Sequence, residues 1–162
     1  MREHVYELTL RWTGNTGSGT AGYRAYRRDH IFSAGDKPVL LGSSDVHYRG
    51  DAARWNPEEL LLASLAACHQ LWYLHLCADA GIAVMAYEDH PVASMAEHED
   101  GSGEFIRALL RPQVTIRDPG QRAQALQLHG RAHALCFIAR SVNFPVEHEP
   151  IVLIEKNEGS PG

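Results

Sequence analysis

Three features of the sequence predict an α+β fold. A helix opens at Asn56-Pro57-Glu58-Glu59 and runs through apolar residues from Leu60 to Ala80, strands with alternating apolar and polar residues lie on both sides of it, and a second helical segment precedes the last strand. The expected architecture is a single domain over residues 1–162, with antiparallel sheets wrapped around two helices. The net charge of −5 and the scattered arginines and lysines argue against a surface that tracks nucleic-acid phosphates. Met1-Arg2-Glu3-His4 leads straight into a strand pattern, with neither an apolar secretory core nor a transit-peptide bias, so the cytoplasm is the expected location.

The first element spans His4 to Thr13, where Tyr6, Leu8, Leu10 and Trp12 alternate with polar residues as in a half-buried strand. Gly14 to Thr20 reads as a hairpin connection, because no Gly-Lys-Ser/Thr or spaced glycine fingerprint follows to hold a phosphate. Tyr23 to Phe32, Pro38 to Leu41 and Val46 to Tyr48 complete an antiparallel meander. Arg24, Arg27, Arg28, Arg49 and Arg54 lie in or beside it, each by itself an ordinary solvated charge.

The long helix is the best-written element. Asn at the N-cap, Pro at the first position and two carboxylates in the first turn complement the free N–H groups of its start, and Gly81 stands at its end. Its apolar residues cover nearly every side, so it requires burial on every side. His69, Gln70 and His75 interrupt the run before the roughly 20 apolar residues of a membrane span. A chain of 162 residues rarely encloses such a helix alone. A homodimer with a shared core is therefore expected.

Ile82 to Ala96, interrupted by Pro91, and Phe105 to Arg117 read as two further strands around a polar turn from Glu97 to Gly103. Pro119 to Arg140 is the second helical segment, with Cys136 near its end. Val146 to Glu155 is the last strand, and Asn157 to Gly162 a tail expected to fray.

Three cysteines are too few and too odd in number for a secreted disulfide framework. Cys77 lies nine residues after Cys68, on the opposite helix face, and reads as a small buried hydrophobe. Cys68 is followed by His69, and Cys136 by Arg140 and Ser141; a thiol beside cationic donors carries thiolate, the nucleophile that reduces peroxides. A zinc reading competes, since His129, His133 and Cys136 fall at i, i+4 and i+7, although histidines on a helix surface are the favoured explanation. Trp55, Trp72, Tyr73 and Phe144 read as core, or as the lining of an apolar pocket.

The stretch Asn56-Pro57-Glu58-Glu59-Leu60 followed by Ala66-Ala67-Cys68, the Ala134-Leu135-Cys136 segment before Ser141-Val142, and the order of elements together resemble the OsmC/Ohr family of osmotically inducible and organic hydroperoxide resistance proteins. That resemblance implies an interwoven homodimer with the long helices at its centre and thiol-dependent reduction of organic hydroperoxides, with hydrogen peroxide as a further substrate. It implies Cys68 as the peroxide-attacking cysteine and Cys136 as the one that resolves its sulfenic acid into a disulfide. Glu58 matches the family's acidic residue. Arg49 is the choice for the catalytic arginine, with Arg24 and Arg27 nearer the position used by Ohr-like members and His47 close by. No metal or prosthetic group is implied; an external low-molecular-weight or lipoyl-type dithiol restores the thiols.

On one straight helix, ten residues hold Glu58 about 15 Å from Cys68 and turned away from it. Either Glu58 serves the partner's Cys68 or the helix breaks between them. Two departures stand out: Phe137 follows Cys136 where many members have proline, and His69 follows Cys68 where an apolar residue is common. The alternative from another class is a binding or redox-sensing protein on the same scaffold.

Overall fold

The computed structural model describes residues 1–156, so the tail expected to fray, 157–162, lies outside the described residues. Two compact units are present, Met1–Leu61 and Leu62–Gly162, and the boundary falls within the first helix. The α+β class is as expected.

In the first unit, β1 (Thr9–Trp12), β2 (His30–Ser33) and β3 (Leu40–Gly42) form an antiparallel meander in that order, with Leu10 opposite Phe32 and Phe32 opposite Leu40. The strands are shorter than their sequence patterns. The connection at residues 14–20 is held by Asn15, whose Oδ1 accepts the N–H groups of Gly17 and Gly19 at 2.9 and 3.0 Å. Residues 46–48, expected as a strand, form a 3₁₀ turn instead: Asp45 Oδ1 accepts the His47 N–H at 2.8 Å, and Arg49 ends the turn at φ 64°. An aspartate cap outranked the apolar alternation there. The apolar face of the first strand is not half-buried: Tyr6, Leu8, Leu10 and Trp12 are all exposed in the single chain.

Helix α1 (Pro57–Asp79) starts and stops where its capping residues dictate. Asn56 Oδ1 accepts the Glu59 N–H at 2.8 Å, and Glu59 Oε2 accepts the Asn56 N–H at 3.2 Å, a reciprocal capping box. At the other end Gly81, at φ 69°, donates to Ala78 O and Ile82 donates to Cys77 O, which satisfies two of the last carbonyls. Asn56→Ala is expected to lower the unfolding free energy by about 1 kcal/mol. Asn56→Asp should retain most of it, and an unchanged urea midpoint in Asn56→Ala would show that the cap is idle.

Within one chain α1 buries one face only, through Leu65, His69, Tyr73, Leu76 and Cys77, while Leu71 is 67% exposed. The expectation of burial on every side is thus not met by the chain alone. By length and hydropathy α1 passes the test for a membrane span, as core helices also do; its buried face packs on protein.

The second unit is built from three strand runs, each folded in two. β4 (Val84–Asp89) and β5 (Val92–Glu97) flank Pro91, β6 (Gly103–Leu110) and β7 (Pro112–Ile116) meet at Pro112, and β8 (Val146–His148) and β9 (Ile151–Ile154) flank Pro150. Where the sequence reads three long strands there are six short ones, because proline supplies no N–H to continue a ladder. At each break the chain passes from one three-stranded sheet to the other, ordered β4-β7-β9 and β5-β6-β8. Arg111 fastens the crease: its N–H donates to Asp89 Oδ1 at 2.8 Å and its Nε to His90 O at 2.7 Å. Both sheets are mixed rather than antiparallel throughout, since β6–β8 and β7–β9 pair in parallel across the crossover that carries the second helix.

That helix, α2 (Arg122–Leu135), follows a 3₁₀ turn at Pro119–Gln121 and ends at Leu135, five residues before the expected Arg140. Its Ala125, Leu128 and Ala132 join Tyr73, Leu76, Cys77, Ile82, Val114, Ile116 and Val152 in the larger core. A second core under β6 and β8 holds Leu65, Ala108, Leu110 and Val146.

Candidate active site

Cys68 lies half-buried on α1, four residues before Trp72 and seven before His75. With Leu71, Trp72, His75 and Phe137 it lines an open, apolar pocket of about 340 Å³. Phe137 meets the Trp72 ring edge-on at 5.6 Å between centroids. Trp72 was anticipated as a pocket residue; Phe137 and His75 were not, although His75 shares the Cys68 face at i+7. Tyr73 is core, Phe144 packs on the second core, and Trp55 is exposed in the first unit.

Cys136 is buried, and its thiol is near enough to Cys68 for each to act on the other electrostatically. Both are free thiols. Burial first, and then Cys68 itself, push the Cys136 thiol up to about 11. The chain leaves α2 at this residue, which is extended at φ −65°, ψ 113°, so the break forms with Phe137 rather than a proline after it. Cys136 Sγ accepts the Ala139 N–H at 3.4 Å and opens the 3₁₀ turn at Ala139–Ser141. Cys77 is fully buried in the larger core, where burial raises its thiol, as its helix face predicts.

The histidines depart from expectation. His129 is fully buried and His69 nearly so, and His69 Nε2 meets His129 Nδ1 at 3.0 Å. Tyr73 stacks on His129 at 3.8 Å between centroids and donates its hydroxyl to Ala125 O. His148 from β8 lies 5.6 Å from His69 and 5.4 Å from His133, centroid to centroid. Burial, the dominant cause, lowers His69 to about 4 and His129 to about 3, with neighbouring imidazoles adding to both. His69 Nδ1 and His129 Nε2 are buried without a partner among the described residues. The zinc reading of His129, His133 and Cys136 fails: no group of three or more His, Cys, Asp or Glu among the described residues is arranged to hold a metal. His148 carried no signal in its own strand. For His69 and His129 the signal was position, each sitting among apolar residues at helical spacing on a core face.

Arg49 and Glu58 belong to the first unit. Arg49 is exposed, with its guanidinium 6.0 Å from the Tyr23 ring centroid. Arg27 pairs with Asp29 at 2.6 Å, and Arg54 contacts Asp29 and Asp51 at 3.7 Å each. Arg28 lies between Tyr23 and Tyr26, at 4.4 and 4.1 Å from their centroids. Among the described residues no carboxylate forms an ion pair with Arg49. Helix α1 is unbroken between Glu58 and Cys68, which removes the possibility of a break.

A family model described as OsmC-like protein matches residues 50–150. Among solved structures, an OsmC-like protein of unknown function from Vibrio cholerae superposes with a TM-score of 0.81 at 28% identity, over 93% of this chain and all of that one. An organic hydroperoxide resistance protein from Elizabethkingia anophelis superposes at 0.65 with 15% identity, over 95% of this chain and 100% of that one. Another, OhrB of Bacillus subtilis, superposes at 0.59 with 19% identity, over 92% and 98%. The last two are likenesses of fold. Comparison with curated proteins gives no match.

Proposed function

This chain belongs to the OsmC-like protein family, and from that premise we propose that it is a cysteine peroxidase that reduces organic hydroperoxides, and hydrogen peroxide as a lesser substrate. The observation that carries the reading is one thiol, Cys68, open to an apolar pocket and close to a second, buried thiol, Cys136. The apolar lining suits the organic part of a hydroperoxide better than water-like hydrogen peroxide.

In this reaction the Cys68 thiolate attacks one peroxide oxygen, the O–O bond breaks, and the alkoxide leaves with a proton as the alcohol. Cys68 becomes a sulfenic acid. Cys136 sulfur then attacks the Cys68 sulfur, the S–O bond breaks and water leaves, forming a disulfide. An external dithiol, of low molecular weight or lipoyl type, restores both thiols by exchange and needs no metal or prosthetic group. Arg49 stabilises the charge that develops on the leaving oxygen, and Glu58 orients that arginine. Since α1 is unbroken, Glu58 serves the Cys68 of a second copy of the chain.

The single OsmC-like domain therefore works as a homodimer in the reducing cytoplasm. The exposed apolar residues of the first strand, Leu71 of α1 and Phe137 beside the pocket support a partner surface. One equivalent of cumene hydroperoxide added to the reduced protein, followed by peptide mapping, tests the reading. A Cys68–Cys136 disulfide in stoichiometric yield is expected. Unchanged thiols would sink the peroxidase and leave a binding protein on this scaffold.

A further inference from the structure

The His69–His129 pair takes no part in the chemistry above, yet it sits between the two segments that carry the thiols. His69 is the neighbour of Cys68 on α1. His129 is on α2, whose last turn leads into Cys136, and the Cys136 N–H donates to His133 O at 3.3 Å. Elsewhere α1 and α2 touch through apolar side chains, which can slide, and through one hydrogen bond a turn further from Cys136, from the Tyr73 hydroxyl to Ala125 O at 3.2 Å; the imidazole pair is the directional contact nearer the thiols, at 3.0 Å.

We propose that His69 and His129 are positioning residues that fasten α1 to α2 in the one register in which Cys68 and Cys136 meet, and that acid undoes the fastening. The inference concerns the thiol pair and leans on the peroxidase reading only for its biological use.

Geometry gives the pair leverage. Seven residues of helix, about 10 Å, separate His129 from Cys136, so a tilt of about 10° at the pair moves Cys136 by nearly 2 Å. The Cα separation that allows a disulfide spans little more than that, about 4.4 to 6.8 Å.

Acid sensitivity follows from what surrounds the pair. From α1 it meets Tyr73, from α2 His133, and from β8 His148; Tyr87 of β4 lies behind Tyr73. No carboxylate is among the groups that act on His69, His129 or His148. A proton added at the unpartnered His69 Nδ1 therefore creates a buried cation with only other imidazoles nearby, and opening to water relieves it. His133 and His148, half-buried, provide the route by which water reaches the pair.

The test is a redox titration of the purified full chain against dithiothreitol, which needs no peroxide, at pH 7.5 and pH 4, with equilibrium approached from both the oxidised and the reduced side. It reads the effective concentration of Cys68 for Cys136. An equilibrium is measured because the rate also carries the ionisation of Cys136 itself. The parent is expected to lose at least tenfold in effective concentration on acidification. His69→Gln places an amide nitrogen where Nε2 stands and cannot take up a proton in this range, so it should match the parent within about threefold at pH 7.5 and lose most of the acid dependence. His69→Leu should fall at least tenfold at both pH values, with far-ultraviolet circular dichroism confirming the fold. A parent that is flat with pH, or His69→Gln that falls with acid as steeply as the parent, overturns the proposal even if His69→Leu does not fold. A titrating pair with no reaction toward cumene hydroperoxide would instead sink the peroxidase reading and leave this one standing.

Discussion

Cys68→Ser is expected to abolish hydroperoxide reduction, by at least about a thousandfold, while Cys136→Ser completes the first turnover and then stalls as a Cys68 sulfenic acid. The asymmetry follows from the environment of the two sulfurs. Cys68 borders the pocket and is the only cysteine in its lining, whereas Cys136 is buried and its thiol is pushed up to about 11. At neutral pH a thiol of that kind holds about one part in ten thousand as thiolate, so it is a poor first nucleophile and a slow resolving one. Formation of the disulfide should therefore accelerate nearly tenfold per pH unit between pH 7 and pH 9, whereas the number of peroxide equivalents consumed stays at one. Stopped-flow consumption of cumene hydroperoxide, with a dimedone-type trap for the sulfenic acid, distinguishes the steps. Full multiple turnover by Cys68→Ser would remove Cys68 from the chemistry, and burst behaviour in that variant would transfer the role to Cys136.

Acidification from pH 7.5 to pH 5 should lower the unfolding free energy by about 2 kcal/mol for each of His69 and His129. In the unfolded chain both take up a proton near pH 6.5, whereas burial lowers them to about 4 and about 3 in the folded chain. Above pH 6.5 neither state binds the proton and stability is at its full value. Below it the unfolded chain gains protons that the folded one refuses, so stability falls continuously, until His69 titrates in the fold near pH 4 and His129 near pH 3. Urea denaturation at the two pH values measures the difference. Equal unfolding free energies would mean that these imidazoles are hydrated in solution, and both this expectation and the acid-opened fastening would go with them.

The sequence made some of this plain and hid the rest for physical reasons. Asn56, Pro57 and Gly81 act locally, through their own backbone and the next turn, so the bounds of α1 could be read from the chain to within a residue or two. The six strands of the second unit were read as three because alternation does not reveal which sheet a residue enters; Pro112 and Pro150, like Pro91, were the punctuation that resolved it. Val46 to Tyr48 misled because three residues are too few for a period to outweigh the Asp45 cap. The two thiols were found by motif. That His69 and His129 meet depends on two helices sixty residues apart in sequence packing at one height, which no local pattern encodes. A polar residue on an otherwise apolar helix face was the available signal at both positions.

The folding of each strand run at a proline has a mechanical consequence. Every run contributes one strand to each sheet, so neither sheet can be withdrawn while the other keeps its neighbours in place. Local opening of a β5-β6-β8 strand pulls on β4, β7 or β9 through one or two residues of chain. In hydrogen-exchange terms the two sheets form one cooperative block rather than two, and the floor beneath both thiol-bearing segments opens as a whole or not at all.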